Sequence, residues 1–145
     1  MKSSKPNAAL NAASTLDSTQ VSTLTLELVG FRNLMGVVNL GLFNSPEGFP
    51  NAIEYTVRSG SFPITEAPLI LTFPELPYGR YAATVHHDEN QDGTLNVNSL
   101  GIPKEGIGFS GDPKIWMGVP PFHKAAFDFT PSCQTIAITM KYLLP

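Results

Sequence analysis

The chain holds one cysteine, Cys133, among its 145 residues, so no intramolecular disulfide can form and no thiol pair offers a metal site. Charge is also scarce. Asp, Glu, Lys and Arg make up 14% of the residues, with nine basic against twelve acidic and a formal charge of −3. Lacking a basic stripe to neutralise phosphates, the chain is not expected to bind nucleic acid. No apolar run approaches the roughly 20 residues that a membrane-spanning helix requires, so no transmembrane segment is expected. Also missing are G-x-S-x-G, a phosphate-cradling glycine loop and H-E-x-x-H, so no catalytic residues are assigned and the chain is read as a non-enzyme.

What is present is a hydrophobic fraction of 42% together with 12 glycines and 13 prolines. That is enough apolar material for one core, cut up by turn residues in the manner of many short strands. Met1 to Gln20 is polar and lacks the apolar stretch of about 7–15 residues found in a signal peptide. It reads as a flexible leader, residues 1–20, before one β domain at residues 21–145. Two expectations follow: a cytoplasmic protein, or one whose export signal has been removed.

Period-two alternation begins at Val21. Leu24, Leu26 and Leu28 share one face, and Val38, Leu40 and Leu42 repeat the pattern, so these two segments are predicted to be strands paired as a hairpin. Ala52 to Val57 fits either a short strand or a helical turn. Phe62 to Ile64 and Leu69 to Phe73 predict two more strands, Arg80 to His87 another, and Thr135 to Tyr142 the last. About seven strands at this spacing indicate an antiparallel β-sandwich. Leu100 to Lys124 is predicted to be one long irregular loop, since glycine and proline interrupt it throughout. Its Phe109, Trp116 and Phe122 either pack it onto the sandwich or form a ligand or partner surface, which would suit a small apolar-ligand carrier.

The sharpest chemical pattern runs from Asp88 to Ser99, D-E-N-Q-D-G-T-L-N-V-N-S. Its first nine positions match a calcium loop of EF-hand type. Oxygens of Asp88, Asn90 and Asp92, the carbonyl of Thr94 and the side chain of Asn96 are the expected metal ligands. Gly93 allows the sharp turn, and Leu95 is expected to anchor the loop to the core. Ser99 stands where the bidentate glutamate of a tight site belongs, so binding is expected to be weak, with a dissociation constant of about 10⁻⁴–10⁻³ M. The rival reading is a plain solvated turn. His86 and His87 alternate faces and so cannot jointly hold one ion, and His87 is expected to face the core with a backbone partner. A third reading, a hydrolase, would use His87 with Asp88 or Glu89. The carboxylates of Glu47, Glu54, Glu66, Glu75 and Glu105 are read as solvated surface charges.

Four segments together, Gly41 to Pro50 (GLFNSPEGFP), Leu76 to Asn96 (LPYGRYAATVHHDENQDGTLN), Gly101 to Ser110 (GIPKEGIGFS) and Pro120 to Phe127 (PPFHKAAF), resemble the bacterial family called domain of unknown function 2141. The resemblance covers nearly everything from Leu24 to Tyr142. It implies a small exported protein, periplasmic or secreted, with an immunoglobulin-like or transthyretin-like sandwich and no established activity. The L-P-x-G-x-Y step at Leu76 to Tyr81 is similar to a turn in transthyretin-like and collagen-adhesin B-type domains, a likeness of fold that assigns no role. The function expected is therefore an extracytoplasmic binding or structural module, stabilised by calcium, with an unidentified protein or small molecule as its partner.

Overall fold

The computed structural model describes residues 20–115 and 118–145; the expected leader, up to residue 19, and Trp116 lie outside the described residues. The fold is all-β, with strands β1 (Val21–Val29), β2 (Val37–Phe43), β3 (Arg58–Pro63), β4 (Leu69–Pro77), β5 (Gly79–Asp88), β6 (Gly106–Phe109), β7 (Phe127–Phe129) and β8 (Thr135–Thr139). A 3₁₀ turn at Ile53–Tyr55 settles the segment whose alternation also suited a strand, and one helical turn, α1, spans Phe122–Ala125. No helix among the described residues is long and apolar enough to cross a membrane.

The strands form two sheets. One has the order β4-β1-β8; the other has the order β3-β2-β5-β6, with β7 pairing the early part of β5. All ladders are antiparallel except β1 with β8, which run parallel with Leu26 opposite Ile136. The predicted β1–β2 hairpin does not form. β1 pairs β4 and β8, whereas β2 pairs β3 and β5, so residues 30–36 carry the chain from one sheet to the other. Alternation reports which face of a strand is buried and says nothing about its neighbour.

Both leucine faces enter the same core. Leu24, Leu26, Leu28, Leu69, Leu71 and Phe73 come from the smaller sheet, and Val38, Leu40, Leu42, Ala83 and Val85 come from the larger. Each such side chain, once fully buried, contributes about 1.5–3 kcal/mol through removal of apolar surface from water.

A second, smaller core lies on the other face of the larger sheet. Phe43 and Ala82, facing pairs in the β2–β5 register and one residue out of phase with the inner face, meet Phe109, Ile115, Phe122 and Ala125. Ser110 pins this covering layer: its buried hydroxyl donates to the carbonyl of Ala125 and accepts the N–H of Ala83. The region predicted to be one irregular loop therefore contains β6 and is folded down as a lid of the sheet.

Candidate metal centre

Strand alternation along β5 sorts its last residues. Tyr81, Ala83, Val85 and His87 face the main core, leaving His86 and Asp88 on the opposite face. His87 is fully buried. Its Nε2 meets the carbonyl of Met35 at 2.7 Å and its Nδ1 meets the hydroxyl of Tyr142 at 2.8 Å, while Phe31 and Tyr142 pack edge-on against the ring. The expected backbone partner is present, though it comes from the β1–β2 crossing. Enclosed in this way, His87 has no access to a substrate, which withdraws it from the hydrolase reading.

At the end of β5 Asp88 is 2% exposed, and its carboxylate accepts three hydrogen bonds. Oδ2 accepts the N–H of Gly93 at 2.8 Å and the amide of Asn39 at 3.1 Å, and Oδ1 accepts the N–H of Asp92 at 3.2 Å. Such a bond from a position five residues on requires a chain that doubles back. Gln91 and Gly93 provide this with φ of 58° and 76°. Gly93 has nothing within 4 Å of where a Cβ would sit, so its role is conformational.

Within the turn the Asp92 carboxylate gathers side-chain amides. Asp92 Oδ2 accepts from the amides of Asn96 at 3.0 Å and Asn90 at 3.3 Å, and Asn90 also donates to Asn96 Oδ1 at 3.3 Å. Asp92 Oδ1 takes the N–H of Thr94 at 2.9 Å. That N–H and, next, the Asn96 amide hold the Asp92 carboxyl below its ordinary range. The side chains of Asn90, Asp92 and Asn96 thus touch one another, Thr94 is fixed beside them through its backbone, and Asp88 meets the loop through the N–H groups of Asp92 and Gly93. Leu95 does not anchor the loop. Its side chain is 38% exposed, because the loop is held by polar bonds at its base and not by packing.

Those bonds come from a residue whose role the sequence hid. Glu105, read as a surface charge, is 5% exposed. Its Oε2 accepts the N–H of Glu89 at 3.0 Å, and its Oε1 accepts the N–H of Asn96 at 3.3 Å and meets His86 Nε2 at 2.9 Å. One carboxylate thereby clamps both ends of the loop. The register that sets Gly106 opposite His87 brings Glu105 level with Asp88. Only recognition of β6 as a strand could have revealed it. His86, Asp88 and Glu105 each present a ligand atom within 4.8 Å of the others. His86 is further engaged by Asn39 at 3.4 Å, and Ser61 holds Asn39 in turn.

A second brace stands outside the cluster. Arg32 grips Glu89 with two bonds, 2.7 and 3.1 Å long, donates to the carbonyls of Lys104 and Leu144, and lies over the Tyr142 ring at 4.7 Å. The guanidinium holds the Glu89 carboxyl below its usual value. Among the described residues no arginine or lysine lies within 4 Å of the carboxylates of Asp88, Asp92 or Glu105. Their charge is met instead by backbone N–H groups, side-chain amides and one imidazole.

The aromatic surface proposed on the long loop is corrected by the second core. Phe109 and Phe122 are 6% and 8% exposed and fill it. Trp116, the third member, lies outside the described residues. Residues 26–137 match the family described as an uncharacterized protein conserved in bacteria, DUF2141. No curated protein and no solved structure matches the chain.

Proposed function

The chain belongs to the bacterial family DUF2141, whose description carries no activity, and from the loop carried on its scaffold we propose a non-enzymatic, extracytoplasmic binding or structural module stabilised by calcium. Asp88, Asn90, Asp92, the carbonyl of Thr94 and Asn96 are the ligands. Glu105, outside the loop segment, supplies near Asp88 the carboxylate that Ser99 does not. The observation that supports this reading is that Asn90, Asp92 and Asn96 meet within hydrogen-bond distance around a turn made at Gly93, whose N–H, with that of Asp92, is bound by the Asp88 carboxylate. A plain turn needs one or two Asx bonds, whereas here Asn90 and Asn96 also turn their side-chain amides onto Asp92. Weak affinity suits a compartment where calcium is abundant, so the reading includes a periplasmic or secreted location and an immunoglobulin-like or transthyretin-like sandwich as its frame.

The test is a thermal melt of chelator-treated protein with calcium added back. With a dissociation constant of about 10⁻⁴–10⁻³ M, about 10 mM calcium stabilises the native state by roughly 1.4–2.7 kcal/mol, a rise of about 3–11 °C for a domain of this size. Amide shifts should be confined to Asp88 through Asn96 and to Glu105. Asp92→Asn, at an exposed position, should abolish the calcium increment and lower the melt in chelator only slightly. If neither the melt nor those amides respond to calcium, the loop is a turn and the reading is wrong.

A further inference from the structure

At the opposite end of β5, about 30 Å from the loop for a ten-residue strand, the two sheets part. They leave a groove of about 550 Å³, within the range of roughly 300–1,000 Å³ occupied by small-ligand sites. Its apolar wall comes from Val57, Leu76 and Tyr78. Its charged members are Arg58 and Arg80, two of only three arginines in a chain of net charge −3, and no carboxylate lines it.

Arg58 is held in place by backbone. It reaches from β3 across to the other sheet, donating to the carbonyls of Pro74 and Glu75 at 3.0 Å each. Those carbonyls are presented by a bulge: between the pairs Leu24–Phe73 and Ser22–Leu76, β4 advances one residue more than β1. Glu75, within the bulge, has φ of 57°, a left-handed conformation that a non-glycine residue adopts at a cost of about 1–2 kcal/mol. Strain of this kind is retained where it positions something.

What it positions is a guanidinium with no carboxylate partner within 4 Å among the described residues. Neutral carbonyls fix its direction without cancelling its charge. Arg80 is only loosely committed, 3.5 Å from Asp128 with both side chains more than half exposed. Arginine's planar fork matches two oxygens of one anion.

We propose that this groove binds a small organic oxyanion, a carboxylate or phosphate carried on an apolar or aromatic body. The anion pairs with Arg58, Arg80 swings in from Asp128, and the body lies on Tyr78 and Val57. The site is independent of calcium.

The test is an amide-shift titration of the full chain, with and without chelator, using benzoate, phenyl phosphate and benzyl alcohol as probes. Saturable shifts at Val57, Arg58 and Tyr78 to Tyr81 are expected with one or both anions below about 10 mM. Response to benzoate alone assigns a carboxylate, to phenyl phosphate alone a phosphate, and to both the shared oxyanion chemistry. Arg58→Gln should weaken binding about tenfold or more, and Arg58→Lys, which keeps the charge and loses the fork, by less. If loss of the carbonyl bonds unfolds Arg58→Gln, Arg80→Gln at the exposed rim should still weaken binding severalfold in a folded protein. The proposal is overturned if neither anion gives saturable shifts in the groove, if benzyl alcohol binds as well as benzoate, or if folded variants at both arginines bind as the parent does.

Discussion

His86 and His87 are neighbours in β5 and point to opposite sides of the sheet, one to the loop and one to the core. In the buried His87 ring Nε2 must carry a hydrogen, because its partner, the carbonyl of Met35, can only accept. Nδ1 has the Tyr142 hydroxyl as its partner, a group able to donate or accept. Tyr142→Phe would strand that nitrogen in the core, at a cost of about 1–3 kcal/mol, visible as a lower urea midpoint with an unchanged slope. Burial pushes the Tyr142 phenol above its ordinary value. A group whose value is raised on folding gives stability that is complete below its unfolded value, about 10, and is lost as pH climbs through the folded one. The parent should therefore lose stability on the alkaline side more steeply than Tyr142→Phe, so the gap between them narrows at high pH. A gap that stays constant would show that the hydroxyl's titration is not linked to folding.

Strands whose two faces differ were legible in the sequence, and contacts that depend on which strand lies alongside were not. β1, β2 and β8 announced themselves by alternation, and the turn through Gly93 by its Asn, Asp and Gly, because both are local properties of the backbone. β6 and β7, four and three residues long, carry too little pattern to be seen. With β6 hidden, so were the partner of His86 and the burial of Glu105. Phe109 and Phe122 marked a layer that had to pack, without saying on which face. Phe122 enters from α1, a single helical turn that could not hold itself without this burial. Phe122→Ala should therefore cost about 3–5 kcal/mol, as deletion of a core phenyl does, whereas loss of a ring at the edge of a ligand groove would leave stability within about 0.5 kcal/mol. Chemical denaturation distinguishes the two outcomes directly.

At the scale of the whole molecule, the proposed ligand groove and calcium loop sit at the two ends of β5, which is paired on both edges. The smaller sheet, by contrast, is completed by the two ends of the described chain. β8 lies parallel to β1, and near that seam the Ser22 hydroxyl bonds Gln134 across 112 residues. A contact spanning so much chain carries the full entropy of loop closure before it gains any burial, so it should form after the larger sheet has assembled around β2 and β5. Ile138 tests this order, since it is fully buried at the heart of the seam. Ile138→Ala should destabilise the protein by about 2–5 kcal/mol. If β8 docks late, nearly all of that loss falls on the unfolding rate, which rises at least about 30-fold while refolding in dilute denaturant keeps its parental rate. Refolding slowed in proportion to the lost stability would place the β1–β8 seam in the folding nucleus and make closure of the smaller sheet the step that commits the chain to its fold.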